Sequence, residues 1–246
     1  MNILQWVINR SYAMCSDFFY NKFVKDTIKA GNVNRAILNE ILKNNSKTVY
    51  GRLYEFEVLR RSSDYKRVVP LTSYSDYENY IDEIAAGLEN VLTSDDVKYF
   101  GLSSGTTGKQ KRIPTTSKTR KITSLSMMFL QHGSLSNALP AARTGGKGLL
   151  LMNMLQSGDT PLGIPYGSGT SGGVQSMKKI LRYFWTSPIE VLAIKNQQDA
   201  NYLHLLFALK DRNLAYMMSP FPSAIVQLFE YWKNSGWRLL MTSPKD

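Results

Sequence analysis

The run Tyr99-Phe100-Gly101-Leu102-Ser103-Ser104-Gly105-Thr106-Thr107-Gly108-Lys109-Gln110-Lys111 limits what this chain can fold into more than any other stretch. An apolar run, Val97 to Leu102, reads as a buried strand. It breaks into six residues, Ser103 to Gly108, that are all small, hydroxylated or glycine, and Lys109, Lys111 and Arg112 follow. Gly105 and Gly108 let the backbone approach an anion and turn its N–H groups inward, while the hydroxyls donate and the cations offset charge. That is the chemistry a polyphosphate needs. The pattern is not G-x-x-x-x-G-K-[ST]. Ser103 stands where its first glycine belongs, and Gln110 follows Lys109 where Ser or Thr is required. Lys111 to Pro114 is too short and too proline-bounded to open a helix, so strand–loop–strand is expected.

The net charge of +11 is concentrated in the same region. No Asp or Glu occurs from Val97 through Gly158, whereas Lys98, Lys109, Lys111, Arg112, Lys118, Arg120, Lys121, Arg143 and Lys147 do. A nucleotide's phosphates favour such a field. Nucleic acid is the competing partner for a basic chain, but no motif for it and no long Lys/Arg run is present. A solvated basic surface without a specific anion is the plain alternative.

Length and a 43% hydrophobic content allow one full core, so a single domain over 1–246 is expected. One cysteine, Cys15, excludes an internal disulfide, points to a reducing, cytoplasmic setting, and reads as a packed thiol in an N-terminal helix. The first fifteen residues lack a basic leader, and no apolar run is long enough to span a bilayer.

Helices are expected over 2–29 and 33–43, the second started by Gly31 or Asn32, followed by some 30 irregular residues forming a loop-rich surface layer. Ser75-x-x-Glu78 reads as a capping box opening a helix that turns Tyr77, Tyr80, Ile81 and Ile84 inward and ends at Gly87. Thr116 or Ser117 caps a long helix with Ile122, Leu125, Met128 and Phe129 inward, and Gly148 to Asn153 reads as a second buried strand. A second glycine-rich stretch, 158–173, contains Ser168-Gly169-Thr170-Ser171-Gly172-Gly173. With no apolar strand feeding it, it reads as a surface loop or a pocket cover, not a second phosphate loop. The last third alternates helix 198–212, strand Leu214 to Met218 and helix 222–234. Alternation around buried strands is the α/β signature.

Other chemistry is poorly supported. His132 and His204 have no partners at metal-ligand spacing, so no metal ligand is assigned. Gly101-Leu102-Ser103-Ser104-Gly105 formally matches the hydrolase elbow G-x-S-x-G, but Thr-Thr-Gly is a poor helix start. Catalytic residues cannot be named from these patterns.

Ser103 through Lys111 resembles the phosphate loop of adenylate-forming enzymes, roughly [ST]-S-G-[ST]-[ST]-G-x-P-K, with Gln110 replacing the proline and Lys111 on the signature lysine. Asn44 to Arg52, Asp64-Tyr65-Lys66, Val69-Pro70-Leu71, Tyr74 to Glu78 and Asn90 to Thr93 narrow the likeness. Together they resemble the auxin-responsive Gretchen Hagen acyl acid–amido synthetase family from about residue 30 to about 235.

That resemblance implies helices flanking a mixed β-sheet, as in the N-terminal part of the family's large domain. It implies ATP and Mg²⁺, with Ser103, Ser104, Gly105, Thr106, Thr107, Gly108 and Lys111 holding the nucleotide. It also implies a carboxylic acid and an amine or amino acid as small-molecule partners. The helix after Ser117 would flank the acyl pocket. Family members run to about twice this length. The chain is therefore expected to lack their C-terminal half and lid domain, to diverge from Gly236 onward, and to be an incomplete enzyme. A non-catalytic nucleotide- or acyl-binding module and a basic interaction protein are the alternative readings.

Overall fold

The computed structural model describes residues 3–103, 110–139, 146–154, 156–169, 174 and 181–242, with side chains described to 234. The chain forms two compact units that exchange it repeatedly: residues 20–125 with 156–172, and residues 1–19 with 126–155 and 173–246. It opens with α1 (Ile3–Ile28) and α2 (Ala30–Asn45). Lys29 precedes α2 without a side-chain cap, so the helix starts ahead of Gly31. Cys15 is exposed on α1 and not packed as expected.

The unit containing residues 20–125 is built on a four-stranded mixed sheet, order β2-β1-β5-β4. Its strands are β1 (Val97–Leu102), β2 (Arg112–Thr116), β4 (Gln156–Asp159) and β5 (Pro165–Ser168). A strand stands on either side of the glycine segment, as expected, and β1 and β2 pair antiparallel, with Leu102 opposite Arg112. The stretch after residue 156 is not a surface loop. β4 and β5 form a second hairpin, and β5 pairs in parallel with β1. The strand was invisible locally because Pro-Tyr-Gly-Ser carries no apolar run, and its neighbours supply the pairing.

The 30 residues after α2 are not a surface layer either. They hold α3 (Val49–Leu53) and α4 (Ser62–Val68), and Tyr50, Phe56, Leu59 and Val69 form a core cluster with Leu42. Thr48 anchors it: its buried hydroxyl donates to the Asn45 carbonyl at 2.8 Å and accepts the Gly51 N–H at 2.9 Å. A Cβ on Gly51 would stand 1.9 Å from the Asn45 carbonyl oxygen, so only glycine fits this corner. Asn90 and Val91 close it by accepting the N–H groups of Val49 and Tyr50. Two separate landmarks of the resemblance thus bond to each other.

The capping box falls two residues earlier than expected. Asp76 accepts the Ser73 N–H at 2.6 Å, which holds its carboxyl below the usual range, and a single 3₁₀ turn leads into α5 (Glu78–Ala85). Ile81 and Ile84 are buried, and Gly87 ends the helix at φ +94°.

Thr116 caps α6 (Ser117–Leu125), its hydroxyl accepting the Thr119 N–H at 3.1 Å. A five-residue π stretch, Ser126–Leu130, joins α6 to α7 (Gln131–Ala138). Leu125, Met128 and Phe129 are half-buried, but Ile122 is 57% exposed and does not face inward.

The other unit pairs β3 (Lys147–Leu150) in parallel with β6 (Leu214–Met218), with α8 (Gln197–Lys210) between them in sequence. Leu149, Leu151, Leu205, Ala208 and Leu228 form its core, the last from α9 (Pro222–Thr242). A Cβ on Gly148 would lie 2.3 Å from the Tyr216 ring, so glycine lets that ring cross β3.

His204 is buried on α8, with Nδ1 2.8 Å from the Ser187 hydroxyl. Burial pushes its pKa down from 6.5 to about 4. The folded chain holds it neutral while the unfolded chain protonates near the ordinary value. Its contribution is full above pH 6.5 and is lost as pH falls through about 4. The loss should reach about 3 kcal/mol. Urea midpoints at pH 7.5, 5.5 and 4.5 should converge between the parent and His204→Gln as the pH drops; parallel curves would show that the histidine is not responsible.

Candidate nucleotide-binding hairpin and an apolar cavity

The β1–β2 hairpin continues one rung past its last paired residues. Ser103 N–H donates to the Lys111 carbonyl and Lys111 N–H donates to the Ser103 Oγ, both at 3.0 Å. Ser103 and Lys111 therefore close the neck of the glycine segment. Ser104, Gly105, Thr106, Thr107 and Gly108 lie outside the described residues.

Tyr74 braces this neck. Its hydroxyl accepts the Arg112 N–H at 2.9 Å and donates to the Arg112 carbonyl at 3.3 Å, and Lys111 Nζ lies 5.4 Å from the centre of its ring. Asp82 of α5 pairs with the Arg112 guanidinium. Neither side chain was singled out for this role from sequence, although Tyr74 belongs to a landmark of the resemblance.

The basic cluster around the hairpin is partly neutralised from outside it. Lys98 meets Asp96 at 3.1 Å and Lys118 meets Glu40 at 2.6 Å. Arg120 lies over the Tyr99 ring at 5.4 Å. Among the described residues, Lys111 has no carboxylate partner. At the neck Lys111 thus stands beside a hydroxyl–glycine segment with its charge unmatched by any described carboxylate. The next described element is the strand β2, whereas a serine hydrolase elbow leads into a helix.

The unit that contains α7 and β6 carries a cavity of about 280 Å³ lined by Tyr12, Met127, Gln131, His132, Leu135 and residues 215–218. Met127 belongs to the π stretch, and the adjacent Met128 carbonyl accepts the Tyr12 hydroxyl at 2.6 Å. π stretches recur at ligand sites because they redirect side chains from a helix. Burial raises the pKa of Tyr12 and Tyr216 and lowers that of His132. Every titratable group lining the cavity is thereby held neutral near pH 7. Among the described residues no cluster of His, Cys, Asp or Glu could hold a metal ion, and no helix is long and apolar enough to cross a membrane.

Residues 19–242 match the family model described as the GH3 family N-terminal domain. The match continues through part of the closing run after Gly236, which is thus not foreign to the family as expected. The chain is 30% identical over 234 residues to 4-substituted benzoates-glutamate ligase GH3.12 of Arabidopsis thaliana, covering 91% of this chain and 40% of that one. It is 27% identical over 251 residues to jasmonoyl--L-amino acid synthetase JAR4 of Nicotiana attenuata, covering 99% and 43%. The solved GH3.15 acyl acid amido synthetase superposes with a TM-score of 0.73 at 24% identity, over 85% of this chain and 37% of that one, which shows a shared fold. The chain spans about two fifths of the length of the curated relatives it matches.

Proposed function

The chain belongs to the GH3 family, and from that premise we propose that it supplies the nucleotide-holding N-terminal part of an acyl acid–amido synthetase. In the full reaction a carboxylate oxygen attacks the α-phosphorus of MgATP; the bond to the β-phosphate oxygen breaks and pyrophosphate leaves. An amine nitrogen then attacks the acyl carbon, loses a proton to solvent and expels AMP, leaving an amide. Mg²⁺ enters with the nucleotide as part of that substrate.

The observation that carries this reading is the hairpin neck, where Ser103 and Lys111 are hydrogen-bonded across the mouth of a hydroxyl–glycine segment. Ser103 through Gly108 would hold the β- and γ-phosphates with backbone and hydroxyl donors. Lys111 would offset the charge that builds on the departing pyrophosphate. The neutral cavity lined by Met127, His132 and Tyr216 suits the uncharged body of an organic acid, because burying an ion there without a partner would be costly. Small acids joined to amino acids are the substrates that the relatives' names record.

Isothermal titration with MgATP, competed by pyrophosphate, tests the reading, and saturable binding is expected. Failure to bind either would overturn it. Acid-dependent ATP–pyrophosphate exchange, run with a panel of aromatic and aliphatic acids, is expected to be absent from this chain alone. Exchange above background would instead place a complete adenylation site within these residues.

A further inference from the structure

The glycine-rich stretch after β5 takes no part in the function proposed above, yet the strand that leads into it pairs with the strand that leads into the first one. β5 runs parallel to β1, with Phe100 opposite Tyr166, Gly101 opposite Gly167 and Leu102 opposite Ser168. The chain therefore leaves both strands at the same edge. What leaves β1 is Ser-Ser-Gly-Thr-Thr-Gly, and what leaves β5 is Gly-Thr-Ser-Gly-Gly. Neighbouring strands stand about 4.8 Å apart. Two donor-rich segments thus begin within the reach of one polyphosphate. In open α/β sheets ligands gather outside the carboxyl ends of parallel strands.

Local geometry distinguishes a ligand role from packing. Tyr99 holds the seam by donating its hydroxyl to the Ser168 carbonyl at 2.9 Å. A Cβ on Gly101 would stand 3.4 Å from the Gly169 Cα, an ordinary van der Waals contact. Gly169 has more room. No described atom lies within 4 Å of where its Cβ would stand, and its φ is outside the left-handed range that demands glycine. Neither crowding nor backbone strain requires glycine at this position.

We propose that Ser168 and Gly169 form a second oxyanion-binding position, which with Ser103 and Lys111 holds one polyphosphate across the seam between β1 and β5. The missing side chain at Gly169 keeps that position open. This rests on the nucleotide reading above and extends it to residues outside the phosphate-loop signature.

Gly169→Leu fills the open space while leaving the fold intact, so the thermal midpoint should stay within a degree or two of the parent. MgATP affinity, measured by calorimetry, should fall by about tenfold or more, with pyrophosphate weakened equally and AMP changed less than twofold. Parental affinity for MgATP in the variant overturns the proposal. So does an equal loss for ATP and AMP, which would place residue 169 at the nucleoside end. If Gly169→Leu lowers the thermal midpoint, Gly169→Ala carries the comparison, with a loss of about threefold expected for MgATP and pyrophosphate and none for AMP; unchanged MgATP affinity there is likewise fatal. A parent chain that binds neither MgATP nor pyrophosphate defeats the underlying nucleotide reading. A parent that binds both while the variants do so equally well defeats only the second position.

Discussion

Phe100→Ala should destabilise the chain by about 4 kcal/mol, the largest stability loss expected from a single truncation in the sheet. Phe100 is fully buried in the middle of β1 and packs with Ile81, Ile84, Val91 and Tyr166. Removing the ring leaves a cavity between the sheet and α5 that rigid neighbours cannot fill. Against a typical stability of about 5–15 kcal/mol, that is enough to leave a substantial unfolded fraction near body temperature. Ile113→Ala is the control: it lies on the adjacent strand, is 49% exposed, and should cost under about 1 kcal/mol. Urea titrations of the two variants settle the matter. Equal shifts would mean that the core does not lie against β1.

Lys111→Glu should weaken MgATP binding by about 100-fold with little change in thermal midpoint. Lys98, Arg112 and Lys118 each spend their charge on a carboxylate, whereas Lys111 rests against the Tyr74 ring. A unit charge about 4 Å from a phosphate oxygen contributes about 4 kcal/mol at an effective dielectric near 20. Exposure and salt reduce that. Reversing the charge adds repulsion to the loss, and Lys111→Gln should fall between, at about tenfold. Calorimetry at low and high salt checks both numbers, since the gap between Gln and Glu should narrow as salt rises. Unaltered affinity in Lys111→Glu would remove this lysine from the site.

The legible parts of this fold are those whose pattern is local. Val97 to Leu102 is apolar and bounded by glycine and serine, and the hairpin, α8, β6 and α9 follow from equally continuous signals. Tyr50, Phe56, Leu59 and Val69 carry no local sign of being core because α3 and α4 have only five and seven residues. Helices that short never complete a recognisable period, so aromatics interleaved with charges looked like surface. The capping box slipped because Ser73 and Ser75 both precede an acid by three residues, and only the 3₁₀ turn decides between them. Periodicity alone points Ile122 inward, yet α6 gives way to a π stretch within a turn. For the site, Ser103 and Lys111 were legible as a phosphate motif. The brace from Tyr74 and Asp82 was not, since it joins positions some 30 to 40 residues apart.

The parallel seam between β1 and β5 also dictates an order of assembly. The hairpin is complete once residue 116 exists, because both of its strands are local, but its inner edge waits for a strand that arrives about 50 residues later. During synthesis β1 must therefore pass through a stage with one flank unpaired and exposed, its backbone groups open to any other extended segment. Residues 126–155, which belong to the other unit, are made in that interval. A ribosome pausing there would prolong the vulnerable stage, and a chain released at that point would carry a finished hairpin with an unsealed edge, a template for aggregation.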